Sequence, residues 1–155
     1  MERKTKVNAE DGKQEIVITR EFDLPVELLF RGYAEAELLE QWMGTKVLKL
    51  ENHKHGGWQF ETTDAHGNVV FRANGSIHEF VPNSKITRTF EMENASFGVQ
   101  LEILRFDRVT EDTSRLTIHS IFESVDARDQ LLQLPFARGI DLAHNRLQEI
   151  AGKLR

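Results

Sequence analysis

The chain has no cysteine, only three prolines and a single tyrosine among 155 residues. The absence of cysteine excludes disulfides, thiolate nucleophiles and Cys-ligated metals. No apolar run approaches the ~20 residues of a membrane span, and the opening Met1-Glu2-Arg3-Lys4 lacks the apolar segment of a secretory signal. Cytosolic residence is therefore the expectation. There is no block of clustered Lys and Arg either, and the formal net charge is −5. An acidic chain without a basic patch is a poor binder of nucleic acid, because phosphate contacts need clustered cations. Repeats, low-complexity tracts and linkers are also missing. The simplest organisation is one domain over residues 14–155, preceded by a polar, flexible segment over 1–13 with room for a short strand before the Asp11-Gly12 turn.

What the chain does have is a long periodic run at its C-terminal end. Leu132, Phe136, Ile140, Ala143, Leu147, Ile150 and Leu154 recur at steps of three and four, the stripe of an amphipathic helix. Over 126–154 such a helix would be roughly 40 Å long at 1.5 Å per residue. Pro135 interrupts it by removing a backbone donor, so the run predicts a short segment over 126–134 and a longer helix over 136–153. Upstream, Val26, Leu29, Phe30 and Tyr33 mark one short helix after Pro25. A second covers Glu35 to Met43 and stops at Gly44.

Most of the remainder reads as strand. Residues 14–22, 46–52, 58–63, 69–81, 84–93, 99–109 and 114–122 are separated by short turns such as His66-Gly67-Asn68, Pro82-Asn83 and Glu111-Asp112. Short turns imply hairpins and antiparallel pairing. The fold class is α+β: a curved seven-stranded antiparallel sheet, two short helices after the first strand, and a long C-terminal helix across it. Several strands carry apolar residues on both parities, Phe71 and Ile77 against Val70 and Phe80. Strand curvature and a second buried surface at a dimer contact both account for that.

Motifs in a fixed order carry a family resemblance. The run Ile18-Thr19-Arg20-Glu21-Phe22-Asp23-Leu24-Pro25 resembles the opening of proteins related to the C-terminal domain of the activator of the heat shock protein 90 ATPase. These belong to the START-like (SRPBCC), helix-grip superfamily, with the birch-pollen allergen and polyketide cyclases. Gln41-Trp42-Met43-Gly44 is similar to the family's Trp-aromatic-Gly motif, with Met43 in place of a second aromatic. Gly56-Gly57-Trp58-Gln59-Phe60 resembles its Gly-Gly turn and strand, and Gly75 to Pro82 its next strand-to-turn signature. Arg115-Leu116-Thr117-Ile118 with Phe122 resembles its last strand, and Ala127-Arg128-Asp129 the start of its last helix. The resemblance spans about 14–153. It implies a cavity between helix and sheet that holds an apolar ligand. It is weaker for function than for fold, because one superfold hosts many activities.

Candidate cavity residues are Trp42, Trp58, Phe60, Ile77, Arg88, Phe90, His119, Phe136 and Ile140. Each aromatic could equally be plain core. Arg88 shares parity with Ile86 and Phe90. If that parity faces inward, Arg88 needs an anionic partner, with Glu79, Glu102 or a ligand carboxylate available. His53 and His55 are two apart, but no further ligands follow at a metal-binding spacing, so no metal or cofactor is expected. No G-x-S-x-G elbow or phosphate loop occurs. The absence of a catalytic signature favours a binding or chaperone-associated protein taking a small hydrophobic or aromatic molecule. The alternatives are a cyclase, dehydratase or hydrolase, in which His119, Arg88 and His78 converge on one point, and a homodimeric interaction protein using an exposed sheet face.

Overall fold

The computed structural model describes residues 3–155. Among these residues the elements are β1 (Lys6–Asn8), β2 (Glu15–Phe22), α1 (Val26–Ala34), α2 (Ala36–Met43), β3 (Lys46–Leu50), β4 (Gly57–Thr63), β5 (Val69–Val81) and β6 (Lys85–Met92). They continue with β7 (Val99–Arg108), β8 (Ser114–Ile121), α3 (Val125–Leu132) and α4 (Phe136–Gly152). The strands form one open antiparallel sheet in the order β1-β2-β8-β7-β6-β5-β4-β3. Insertion of β2 beside β8 joins the first long strand to the last. The helices then cover one face.

The sheet has eight strands rather than the seven expected. The additional one is β1, which pairs Lys6 with Thr19, Val7 with Ile18 and Asn8 with Val17. It lies inside the segment read as flexible. Three residues carry too little alternation to announce a strand, and tertiary bonds fix this one. Just before it, the Thr5 amide donates to Asp141 Oδ1 of α4 at 2.9 Å. Met1 and Glu2 lie outside the described residues.

In β2, β6, β7 and β8 the even-numbered side chains face the helices: Ile16, Ile18 and Phe22; Ile86 and Arg88; Leu104 and Phe106; Leu116 and Ile118. The mixed parity of β5 has a local cause. The β5–β6 register shifts between Ile77 and Glu79, and the β4–β5 register shifts between Thr62 and Thr63. A bulge adds one residue, bends the strand and moves the following side chains to the other face. Ala73 and Ile77 therefore point inward before the bulge, and Phe80 packs edge-on against Phe30 after it, with ring centroids 5.4 Å apart. Val70, 63% exposed, falls at the other shift.

The C-terminal run is split as its proline dictates. Ser124 caps α3 by accepting from the Ala127 amide at 3.0 Å. The helix ends at Leu132, and Pro135 precedes the first residue of α4. The second half of α4 packs against α1, α2 and β1. Gly32 makes this approach possible, since a Cβ there would lie 2.5 Å from Leu147 Cδ1. Gly75 is equally constrained: a Cβ would sit 2.5 Å from Trp58 Nε1 and 1.9 Å from the Thr89 oxygen. The missing side chain leaves a notch for the Trp58 indole, which donates to that oxygen at 3.1 Å.

Candidate functional site

Beneath the first half of α4 lies a cavity of about 310 Å³. Its roof is Phe136, Gly139, Ile140 and Ala143 of α4, with Leu131 of α3. Tyr33, Trp42 and Met43 close one end. Its floor comes from inward-facing residues of β2, β6, β7 and β8. The volume sits at the small end of ligand pockets, which run to roughly 300–1,000 Å³.

The floor is ordered by strand register. One row runs Arg88, Glu102, Ser120, Ile16 across β6, β7, β8 and β2. The next row on one side is Ile86, Leu104, Ile118, Ile18. On the other side Phe90 stands opposite Gln100. A polar stripe thus crosses the middle of an apolar floor. From β6 to β8 it spans about 10 Å, two inter-strand spacings.

Arg88 is 7% exposed and its Nε donates to Glu102 Oε1 at 3.0 Å. Its guanidinium lies over the Trp58 ring, 4.8 Å from the centroid, a cation–π contact that contributes about 0.5–2 kcal/mol. The internal pair with Glu102 answers the question that a buried arginine poses. Such a pair offsets desolvation rather than adding much stability. Gln100 and Ser120 are also buried, at 5% and 4% exposure. Among the described residues neither side chain has a protein hydrogen-bond partner. Their polar atoms are not among the sealed, unsatisfied ones of the described residues, and both side chains line the cavity.

Gly139 is the other unusual lining residue. It sits inside α4 with a negative φ, and a Cβ added there would meet nothing within 4 Å. Neither backbone conformation nor packing requires glycine. Its presence costs the helix about 1 kcal/mol relative to alanine and leaves the roof bare.

Beside the cavity a buried polar chain ties three elements together. His144 is fully buried. Its Nδ1 bonds Thr5 Oγ1 at 2.9 Å and its Nε2 bonds the Tyr33 hydroxyl at 3.0 Å. Burial, aided by nearby Arg20 and opposed by Asp141, pushes the imidazole down to about 3. It is therefore neutral near pH 7, with one nitrogen donating and the other accepting. Burial also raises the Tyr33 phenol, which remains protonated. Arg20 closes the network through Asn145 Oδ1 at 2.8 Å.

Of the candidates read from sequence, Trp42, Arg88, Phe90, Phe136 and Ile140 line the cavity. Trp58, Phe60 and Ile77 are inward but buried in core, with the Trp58 ring packed at a tilt against Phe60 and Phe90. His119 is a correction. Its strand turns Ile118 and Ser120 inward, so His119 faces outward and pairs with Glu15 Oε2 at 2.6 Å. His78 is exposed, edge-on to His55 at 6.2 Å. The convergence of His119, Arg88 and His78 required for acid–base chemistry does not occur. Sequence reading missed Gln100, Ser120 and Tyr33 as lining residues. The alternation through Leu104 and Phe106, and through Leu116 and Ile118, carried the signal for the first two. Among the described residues no three His, Asp or Glu side chains gather as a metal site, and no helix is long and apolar enough to cross a membrane.

An open depression elsewhere is lined by Arg3, Lys4, Lys6, Arg20 and Arg115. Arg3 and Arg115 are already ion-paired with Glu21, so it offers less unmatched chemistry than the cavity.

Comparison with known proteins bears on the fold first. Protein Ms6760 from Mycobacterium smegmatis superimposes with a TM-score of 0.83 at 20% identity, covering 95% of this chain and 96% of that one. A protein from Rhodobacter sphaeroides gives 0.86 at 18% identity, covering 97% and 99%. An HSP90 activator from Plasmodium falciparum gives 0.56 at 18% identity, covering 70% and 72%. No curated protein matches the chain in sequence. The family model described as "Activator of Hsp90 ATPase homolog 1-like protein" matches residues 23–152. Ordered motifs, sheet topology and that match agree: this chain belongs to the Activator of Hsp90 ATPase homolog 1-like family, on the helix-grip fold.

Proposed function

We propose that this protein binds a small hydrophobic or aromatic molecule in the cavity beneath α4, and that binding rather than bond chemistry is its role. The observation that carries the reading is Gly139. A helix facing a sheet ordinarily fills the space between with side chains, because close packing is the stable arrangement. Gly139, an exposed residue of the α4 stripe at the cavity lining, carries no side chain where one would fit. The walls agree in character: Ile16, Ile18, Phe90, Ile118, Phe122, Phe136 and Ile140 supply an apolar lining, and the polar groups are few and grouped.

The test is a filled roof. Gly139→Phe sends a ring into open space from a helix that tolerates it. Naphthalene titrated into the native protein and followed by its fluorescence is expected to bind. Gly139→Phe is expected to weaken binding at least tenfold while circular dichroism is unchanged. Equal binding by both proteins would refute the site. Native mass spectrometry of freshly purified protein then identifies any co-purified molecule.

Family membership supports a second reading, association with the Hsp90 chaperone. A pull-down with Hsp90 and a measurement of its ATPase rate decide this branch. No binding together with unaltered turnover removes it.

A further inference from the structure

We propose that the cavity selects an uncharged ligand, with an apolar ring body and a head that donates and accepts hydrogen bonds side by side, as a carboxamide does. The proposal rests on the binding reading above and names the chemistry of its ligand. The head lies over the Arg88–Glu102–Ser120 row, next to Gln100.

Charge balance comes first. Arg88 is compensated in place by Glu102, the residue directly opposite it in the ladder, at 3.0 Å. An anionic head entering this stripe would bring a second negative charge beside Glu102 with no further cation among the lining residues. A cationic head would meet Arg88. Either leaves a charge without a compensating partner among the lining residues, which disfavours binding. An uncharged head avoids both penalties.

Unused bonding capacity comes second. Only Nε of Arg88 and Oε1 of Glu102 are engaged with each other. The guanidinium ends remain as donors and Glu102 Oε2 as an acceptor. The Gln100 amide and Ser120 hydroxyl belong to residues at 5% and 4% exposure, make no side-chain hydrogen bond among the described residues, and each can donate and accept. A head that only accepts, or only donates, leaves half of this set unsatisfied. One that does both satisfies it.

The test uses three naphthalene probes that differ only in their head: 2-naphthamide, 2-naphthoate and 2-naphthylmethylammonium. Each is titrated into the full-length protein at pH 7 by calorimetry, with naphthalene as the headless reference. The carboxamide is expected to bind at least tenfold tighter than either charged probe. Glu102→Gln removes the compensating charge, and the preference is expected to swing at least tenfold toward the carboxylate. Gln100→Leu provides a second variant should the first fail to fold. It is expected to weaken the carboxamide about tenfold and leave naphthalene unchanged. If the carboxylate binds the native protein as tightly as the carboxamide, the charge selection is wrong while the cavity reading stands. If neither naphthalene nor any probe binds, the cavity reading falls and this inference with it.

Discussion

Between His144 and Ala151, α4 is part of the core; between Phe136 and Ala143, it is a roof. His144, Leu147 and Ala151 are fully buried, whereas Phe136, Ile140 and Ala143 are half-buried and face the cavity. One glycine stands at each contact surface with opposite effect. Gly32 lets α1 approach Leu147 too closely for any side chain between them, and Gly139 lines the cavity where an added side chain would meet nothing within 4 Å. A single amphipathic stripe thus serves the core at one end and the cavity lining at the other. The lesson is that a helical apolar stripe states which face turns inward, not whether that face is packed.

Truncations test the contrast most directly. Leu147→Ala is expected to lower stability by about 3 kcal/mol, within the 2–5 kcal/mol typical of large-to-small changes in a core. At this chain length that corresponds to roughly 6–12 °C in Tm. Ile140→Ala, an equally large deletion in the roof, is expected to cost about 1 kcal/mol or less, because its site is already open. Thermal or denaturant unfolding measures both, and equal losses would erase the distinction.

Acid should strike the packed half first. His144 has its folded-state value pushed down to about 3 from an ordinary 6.5. The folded protein therefore binds fewer protons than the unfolded chain. The contribution is fully present above about pH 6.5 and is lost as pH falls from there toward 3, with a slope approaching one proton per molecule. His144→Gln can still bridge Thr5 and Tyr33 but does not titrate. Its urea midpoint is expected to fall less between pH 6.5 and 4 than that of the native protein. Parallel curves would remove His144 as the cause.

The smallest change has the opposite sign. Gly139→Ala is expected to raise stability by up to about 1 kcal/mol, through helix propensity and a stiffer unfolded chain. A loss instead would mean that the roof needs its glycine for packing after all.

The sequence announced the elements through two periods and a set of turns. Even the break in the C-terminal run followed from Pro135. It left room for a short strand before the Asp11-Gly12 turn but did not place it in the sheet: the three residues of β1 are fixed by bonds to β2, and Thr5 just before them by a bond to α4, rather than by pattern. Inward parity was legible in β6, where Ile86 and Phe90 flank Arg88, and that alternation put the arginine inside. In β8 the alternation of Leu116 and Ile118 pointed Ser120 inward and His119 outward, Ile121 on the other parity blurred it, and pairing with β2 and β7 fixes the face. Whether an inward aromatic is lining or core was not readable at all. Trp58 and Phe90 have the same character and parity, but the notch at Gly75 draws one into the core while the other reaches the cavity.

The position of β2 has a practical consequence for anyone preparing shorter forms of this molecule. The family match begins at residue 23, just past that strand. An expression boundary drawn there would discard Ile16 and Ile18 from the cavity lining. It would also leave β8 with an uncovered hydrogen-bonding edge, a template for aggregation. The useful reagent starts upstream of Thr5.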